Sequence, residues 1–191
     1  MQNLAIDVMN MTRDEHFDYK LPPILEQLDE AAILSQIPKI QLEPCFFDEM
    51  NLGDKSSLHL TVSRKIILLY SMISNDYNPI HVDLEYGKKT FFKTNIAQGI
   101  LDLSFCSGVV GSHLVGEGVA LLGFKNAEFR NAVKIDDKIT VTAEIVKKYS
   151  LQKKGKERYF IDVQIKIIHD ETQEIACVGL ATVTVFNKSR P

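Results

Sequence analysis

Three stretches near the C-terminus alternate apolar and polar residues with a period of two, and short polar turns join them. Ile139, Val141, Ala143 and Ile145 form the first series. Tyr159, Ile161, Val163, Ile165 and Ile167 form the second, after the Lys153–Lys156 turn. Ile175 to Phe186 follows the Asp170–Glu174 turn, and Val119–Phe129 precedes all three. A period of two sends alternate side chains to opposite faces, so each stretch reads as a strand with one apolar side. Consecutive strands with short connections predict an antiparallel meander whose apolar face must be covered. Residues 98–115, QGILDLSFCSGVVGSHLV, supply the cover: the run is long, mostly apolar and poor in charge, which favours a buried helix over a strand. The predicted fold class is α+β, a curved antiparallel sheet around one long central helix.

The rest of the chain arranges itself about that unit. Ser63–Ser74 reads as a helix with a serine start and an apolar stripe at Ile66, Leu69, Tyr70 and Ile73. Asn75-Asp76-Tyr77-Asn78-Pro79 stops it, and the proline pushes Asn78 into an extended conformation. Residues 1–44 are different. Pro22-Pro23 and Pro38 break them, and Ile24, Leu28, Ala31 and Leu34 between the breaks predict a short amphipathic helix. They are read as an N-terminal arm, with residues 45–191 as the domain.

Charge and cysteine usage exclude several function classes. A net charge of −3 and a pI near 6.0 carry no footprint for nucleic acid or an anionic membrane. The three cysteines, Cys45, Cys106 and Cys177, show no CxxC spacing, which argues against a disulfide framework and a zinc site. Cys106 and Cys177 lie in apolar runs and are read as buried. No segment reaches the ~18–20 apolar residues of a membrane helix, and the first residues lack an apolar leader core. A soluble, cytoplasmic protein is expected.

The residues richest in chemistry are Asp76-Tyr77-Asn78-Pro79-Ile80-His81. A carboxylate and an imidazole with a rigid proline between them suit general acid–base work on a water. Residue types alone fit a plain turn better, since Asn, Asp and Pro are common turn formers. Gln98-Gly99 opens the buried helix, where first-turn amides have no internal acceptor and a glycine admits close approach. A carbonyl oxygen placed there would meet an oxyanion hole; a simple helix start is the alternative. Other candidates are weaker. His81-x-Asp83 lacks a third metal ligand, so no metal is expected. Gly108, Gly111, Gly116 and Gly118 form no phosphate loop, and Ser107 or Ser112 lacks a nucleophile elbow. His113 reads as a helix-end residue, and His16, His59 and His169 as solvated. Lys153–Lys156 reads as a hairpin tip; contact with a coenzyme A phosphate or an acidic carrier protein is its alternative.

Residues 63–118 resemble the MaoC-type hydratases, the (R)-specific enoyl-CoA hydratases and 3-hydroxyacyl-thioester dehydratases. The resemblance rests on Ser74 to Asp83 (SNDYNPIHVD), then Thr90, Phe92, Ile96-Ala97-Gln98-Gly99, Ser104, Ser107, Gly108 and Leu114 to Gly118. It implies a hotdog fold and a homodimer. It also implies an acyl-CoA or acyl-carrier-protein thioester as substrate and no cofactor. By position, Asp76 and His81 match the pair that activates water and protonates the α-carbon, and Asn78 matches the residue supporting that pair. Gly99 matches the amide that polarises the thioester carbonyl, and Ser107 a polar position near the acid. Gln98 stands where the family has histidine and is expected to position the loop or the substrate. Asn75 replaces a glycine, and Ala132 and Asp136 replace a proline and a glycine. A non-catalytic acyl-thioester-binding or partner-binding hotdog protein, and a hotdog thioesterase, are the alternatives.

Overall fold

The computed structural model describes residues 22–37, 45–116 and 119–187. His16, Pro38, Gly118 and the first residues of the chain lie outside them. One five-stranded antiparallel sheet organises the domain: β1 (Lys55–Thr61), β2 (Ala120–Phe129), β3 (Lys138–Lys153), β4 (Lys156–His169) and β5 (Ile175–Val185). Their spatial order is β1-β3-β4-β5-β2, with β3, β4 and β5 forming the expected meander. β1 was not expected. Only Leu58 and Leu60 alternate in it, and as an edge strand it has no fully buried residue.

The alternation works as the period requires. Ile139, Val141, Ala143 and Ile145 on β3, and Ile161, Val163, Ile165 and Ile167 on β4, are all at most 1% exposed. At about 25 cal/mol per Å² of apolar surface removed from water, this face is the main stabilising element of the domain. It is covered by the 98–115 segment, which is two helices in series. α6 (Gly99–Gly108) is α-helical, and Val109–Val115 continues it as a π-helix, with the Gly116 N–H donating to the Gly111 carbonyl at 3.1 Å. Wider π turns bring Val109, Val110 and Val115 into the core together.

Three further helices lie between β1 and α6 in the chain. α3 (Arg64–Ser74) starts as expected at Ser63, whose hydroxyl accepts from the Ile66 N–H at 3.4 Å. α4 (Pro79–Val82) and α5 (Leu84–Lys89) follow the turn. Asn78 has φ −53° and ψ 128°, extended before its proline. The arm differs from expectation. Its described part holds two short helices, α1 (Pro23–Glu26) and α2 (Glu30–Gln36), in place of one, because the Asp29 carboxylate caps the Ala31 N–H and restarts the helix. Ile24, Leu28 and Leu34 are all more than half exposed, so these helices bury nothing. Packing against the core begins at Cys45 and Phe47, the Phe47 ring lying 4.9 Å from that of Tyr159, and continues at buried Met50.

Candidate active site

Asn75 shapes the turn that carries the acid. It ends α3 in the left-handed region, at φ 59°, where glycine is the usual residue and asparagine the next best. The Asn-for-Gly departure therefore conserves the backbone. Asp136 does the same at φ 65° in the β2–β3 loop. The Asp76 carboxylate then accepts the Asn78 N–H at 3.2 Å, and the Asn78 side-chain oxygen accepts the Ile80 N–H at 3.2 Å. Asn78 thus holds both members of the pair: the acid through its backbone, and the helix bearing His81 through its side chain.

His81 is fixed from the other side. Its Nδ1 lies 2.9 Å from the Ile96 carbonyl oxygen, which can only accept, so Nδ1 carries the proton. Nε2 of the neutral ring is then a bare acceptor, and it lies 3.6 Å from Asp76 Oδ2. Two acceptors facing each other at that separation suit one water that donates a hydrogen to each. Asn95, which the sequence did not single out, locks this arrangement. Fully buried, its Nδ2 donates to the carbonyls of Pro79, Ile80 and Asp83 at 3.3, 3.0 and 2.7 Å. Gly87 makes room for it, since a Cβ there would meet Asn95 Nδ2 at 2.8 Å.

His81 and Gly99 line one cavity of about 670 Å³, together with Phe92, Ile96, Asp102 and Phe129. Gly99 is the first residue of α6, so its N–H has no intrahelical acceptor. The Phe129 ring lies over it, 2.9 Å from where a Cβ would stand. His169, read from sequence as solvated, is in the cavity wall instead, 3.3 Å from Asp137 Oδ2 and 12% exposed.

Of the expected site residues, His81 and Gly99 line this cavity and Asp76, Asn78, Gln98 and Ser107 do not; Asp76 is tied to it through its contact with His81. Ser107 is half-buried on α6, and the cavity-lining residues do not include it. The Gln98 side chain is buried and turns toward α3: its Nε2 donates to Ser71 Oγ at 2.7 Å and more weakly to the Ile67 carbonyl at 3.4 Å. It ties the start of α6 to α3. Gln98→Ala strands a buried hydroxyl and should cost about 1–3 kcal/mol of unfolding free energy. Urea unfolding is the measurement; a variant as stable as the parent would show that this bond does not matter.

Asp102 was also missed, although it is the one acid within the apolar 98–115 run. It is 4% exposed, and its Oδ1 has no hydrogen-bond partner among the described residues. Burial pushes its carboxyl up to about 7. Cys106 and Cys177, fully buried as expected, are its neighbours; burial is the first cause that raises both thiols, followed for Cys177 by this carboxyl and for Cys106 by Cys177 and then this carboxyl. Among the described residues no cluster of His, Cys, Asp or Glu could hold a metal, and no helix is long and apolar enough to cross a membrane.

A helix wrapped by an antiparallel sheet, with an acid and an imidazole beside its N-terminus, defines a hotdog-fold protein of the hydratase type. Residues 51–164 match the MaoC-like domain, more than half of the chain, and the chain belongs to that family. An (R)-specific enoyl-CoA hydratase of Rhodospirillum rubrum is 36% identical over 100 residues, 52% of this chain and 69% of that protein. A mitochondrial 3-hydroxyacyl-[acyl-carrier-protein] dehydratase of Arabidopsis thaliana is 25% identical over 138 residues, 72% of this chain and 79% of that one. The fold is that of an R-hydratase from Pseudomonas aeruginosa, at a TM-score of 0.66 and 23% identity, covering 76% of this chain and 88% of the other.

Proposed function

We propose that this protein interconverts trans-2-enoyl and (R)-3-hydroxyacyl thioesters by reversible addition of water. One observation carries the reading: an imidazole that lines the same cavity as Gly99, with its Nδ1 pinned, presents Nε2 to a carboxylate 3.6 Å away. The thioester oxygen would accept from Gly99, which draws charge off the double bond toward the oxygen. A water held between Asp76 and His81 then adds its oxygen to C3. Its proton passes to the pair, and the pair returns one to C2, so the net addition is one H and one OH. No electron changes hands, so no redox cofactor is required. The names of the two relatives support this class of reaction, with the thioester on coenzyme A or on a carrier protein.

Crotonyl-CoA is the test. Its enoyl absorbance should fall on addition of the protein, and chiral analysis should find the (R)-3-hydroxy product. Binding without any such loss would favour a non-catalytic thioester-binding protein, and release of free thiol a thioesterase.

The same proposal includes a homodimer, because β2 ends the sheet with an unpaired edge and exposes Leu122 and Phe129 along it. It places residues 1–44 as an arm outside the domain, since the described arm helices bury nothing. Free thiols at all three cysteines suit a reducing compartment such as the cytoplasm. Deleting residues 1–40 should leave one cooperative unfolding transition and a dimer by sedimentation. Loss of either would put the arm inside the core or the interface.

A further inference from the structure

The wall of the acyl cavity contains a polar group that the hydration chemistry does not use. Asp102 lies one α-helical turn beyond Gly99, roughly 4.5 Å further along the axis, so it stands past the point where the thioester oxygen would bind. Apolar Phe92, Ile96 and Phe129 line the same cavity, whose remaining wall is largely polar and charged, with Arg130, Lys134 and Glu171 in it. Asp102 is 96% removed from solvent by its 4% exposure, and its Oδ1 is buried with no partner among the described residues. Its buried neighbours, Cys106 one turn further along α6 and Cys177 on β5, are poor hydrogen-bond partners. An unbranched alkyl chain would pass this group and leave it unsatisfied, which is the costly arrangement for a buried polar atom. A chain that carries its own hydrogen-bonding group would complete it.

Resting on the hydratase reading above, we propose that Asp102 is a specificity-determining residue that selects enoyl thioesters bearing a hydroxyl group on the acyl chain beyond C3. The raised carboxyl keeps a substantial neutral fraction near pH 7, and a neutral acid both donates and accepts. A hydroxyl does the same, so the two can exchange a pair of bonds. A chain carboxylate would face repulsion from the ionised fraction and is the wrong partner. Sites built around a substrate hydroxyl discriminate strongly against analogues that lack it, because the site's own polar group is then stranded.

The test compares two substrates of equal length, 6-hydroxyhex-2-enoyl-CoA and hex-2-enoyl-CoA, on the full chain. Each variant is scored by the ratio of the two kcat/KM values, so a general loss of activity cancels. Wild type should prefer the hydroxylated chain by ~10–100-fold. Asp102→Leu should abolish that preference, and Asp102→Asn, which still donates and accepts, should retain most of it. The saturated pair, 6-hydroxyhexanoyl-CoA and hexanoyl-CoA, gives a second readout through calorimetric affinity and needs no turnover. The same preference in binding with no hydration would overturn the hydratase reading and keep this one. Equal ratios in wild type and Asp102→Leu, by rate and by affinity, would overturn it and leave Asp102 a purely structural acid.

Discussion

Asp76→Asn and His81→Ala should each lower kcat for enoyl-CoA hydration by at least ~10²-fold, the usual cost of removing a positioned acid or base. The two variants isolate different atoms. Asparagine at 76 can still accept the Asn78 N–H, so the turn survives while the charge beside Nε2 is lost. Alanine at 81 removes Nε2 and also the bond from Nδ1 to the Ile96 carbonyl, which adds about 1 kcal/mol of destabilisation. Stopped-flow loss of enoyl absorbance, with unfolding curves on the same preparations, separates chemistry from folding. Wild-type rates in both variants would remove the pair from the mechanism. An inactive but well-folded Asp76→Asn is the expected result, because Asp76 is 43% exposed and carries no core packing.

The second large effect concerns stability against pH. Asp102 is raised from 3.8 to about 7, by burial first. Its folded value therefore lies above its unfolded one, and the folded protein holds this proton over a range where the unfolded chain has released it. Below pH ~4 both states are protonated, and the group costs nothing through ionisation. As pH rises from about 4 to about 7 its contribution becomes steadily less favourable, and above that it is flat. The full penalty is about 4 kcal/mol at 1.36 kcal/mol per pH unit. Between pH 5 and pH 8 roughly 3 kcal/mol of it develops. Asp102→Asn removes this ionisation and changes little in shape. Urea unfolding of both proteins at the two pH values should show the variant gaining about 3 kcal/mol on wild type from pH 5 to pH 8. Equal pH dependence in the two would mean that this carboxyl is already ionised, or hydrated, in the folded state.

Much of the architecture could be read along the chain. The alternation in β3, β4 and β5 and the apolar 98–115 run state which faces must be buried, and those faces are buried. The turn from Asn75 to His81 was legible too, because a left-handed residue, an acid that accepts a nearby N–H and a proline-led helix are all local devices. β1 was not legible, since Leu58 and Leu60 among polar neighbours make too short a signal, and its pairing with β3 comes from residues far off in sequence. The split of residues 22–37 into two exposed helices depended on a cap at Asp29 that the apolar spacing concealed.

The meander, the helix that covers it and the residue types at the turn follow from the chain alone, because period, capping and backbone preference act between residues a few positions apart. What each side chain at the site faces follows from packing between distant segments. Gln98 points to Ser71 on a different helix, His81 takes its tautomer from the Ile96 carbonyl, and Asp102, whose Oδ1 has no partner among the described residues, is walled by Phe129 of β2, Cys177 of β5 and the loop before α6. Burial and hydrogen-bond direction are properties of neighbours brought together by folding, and a carboxyl in an apolar run shows its charge in the sequence but not its solvent.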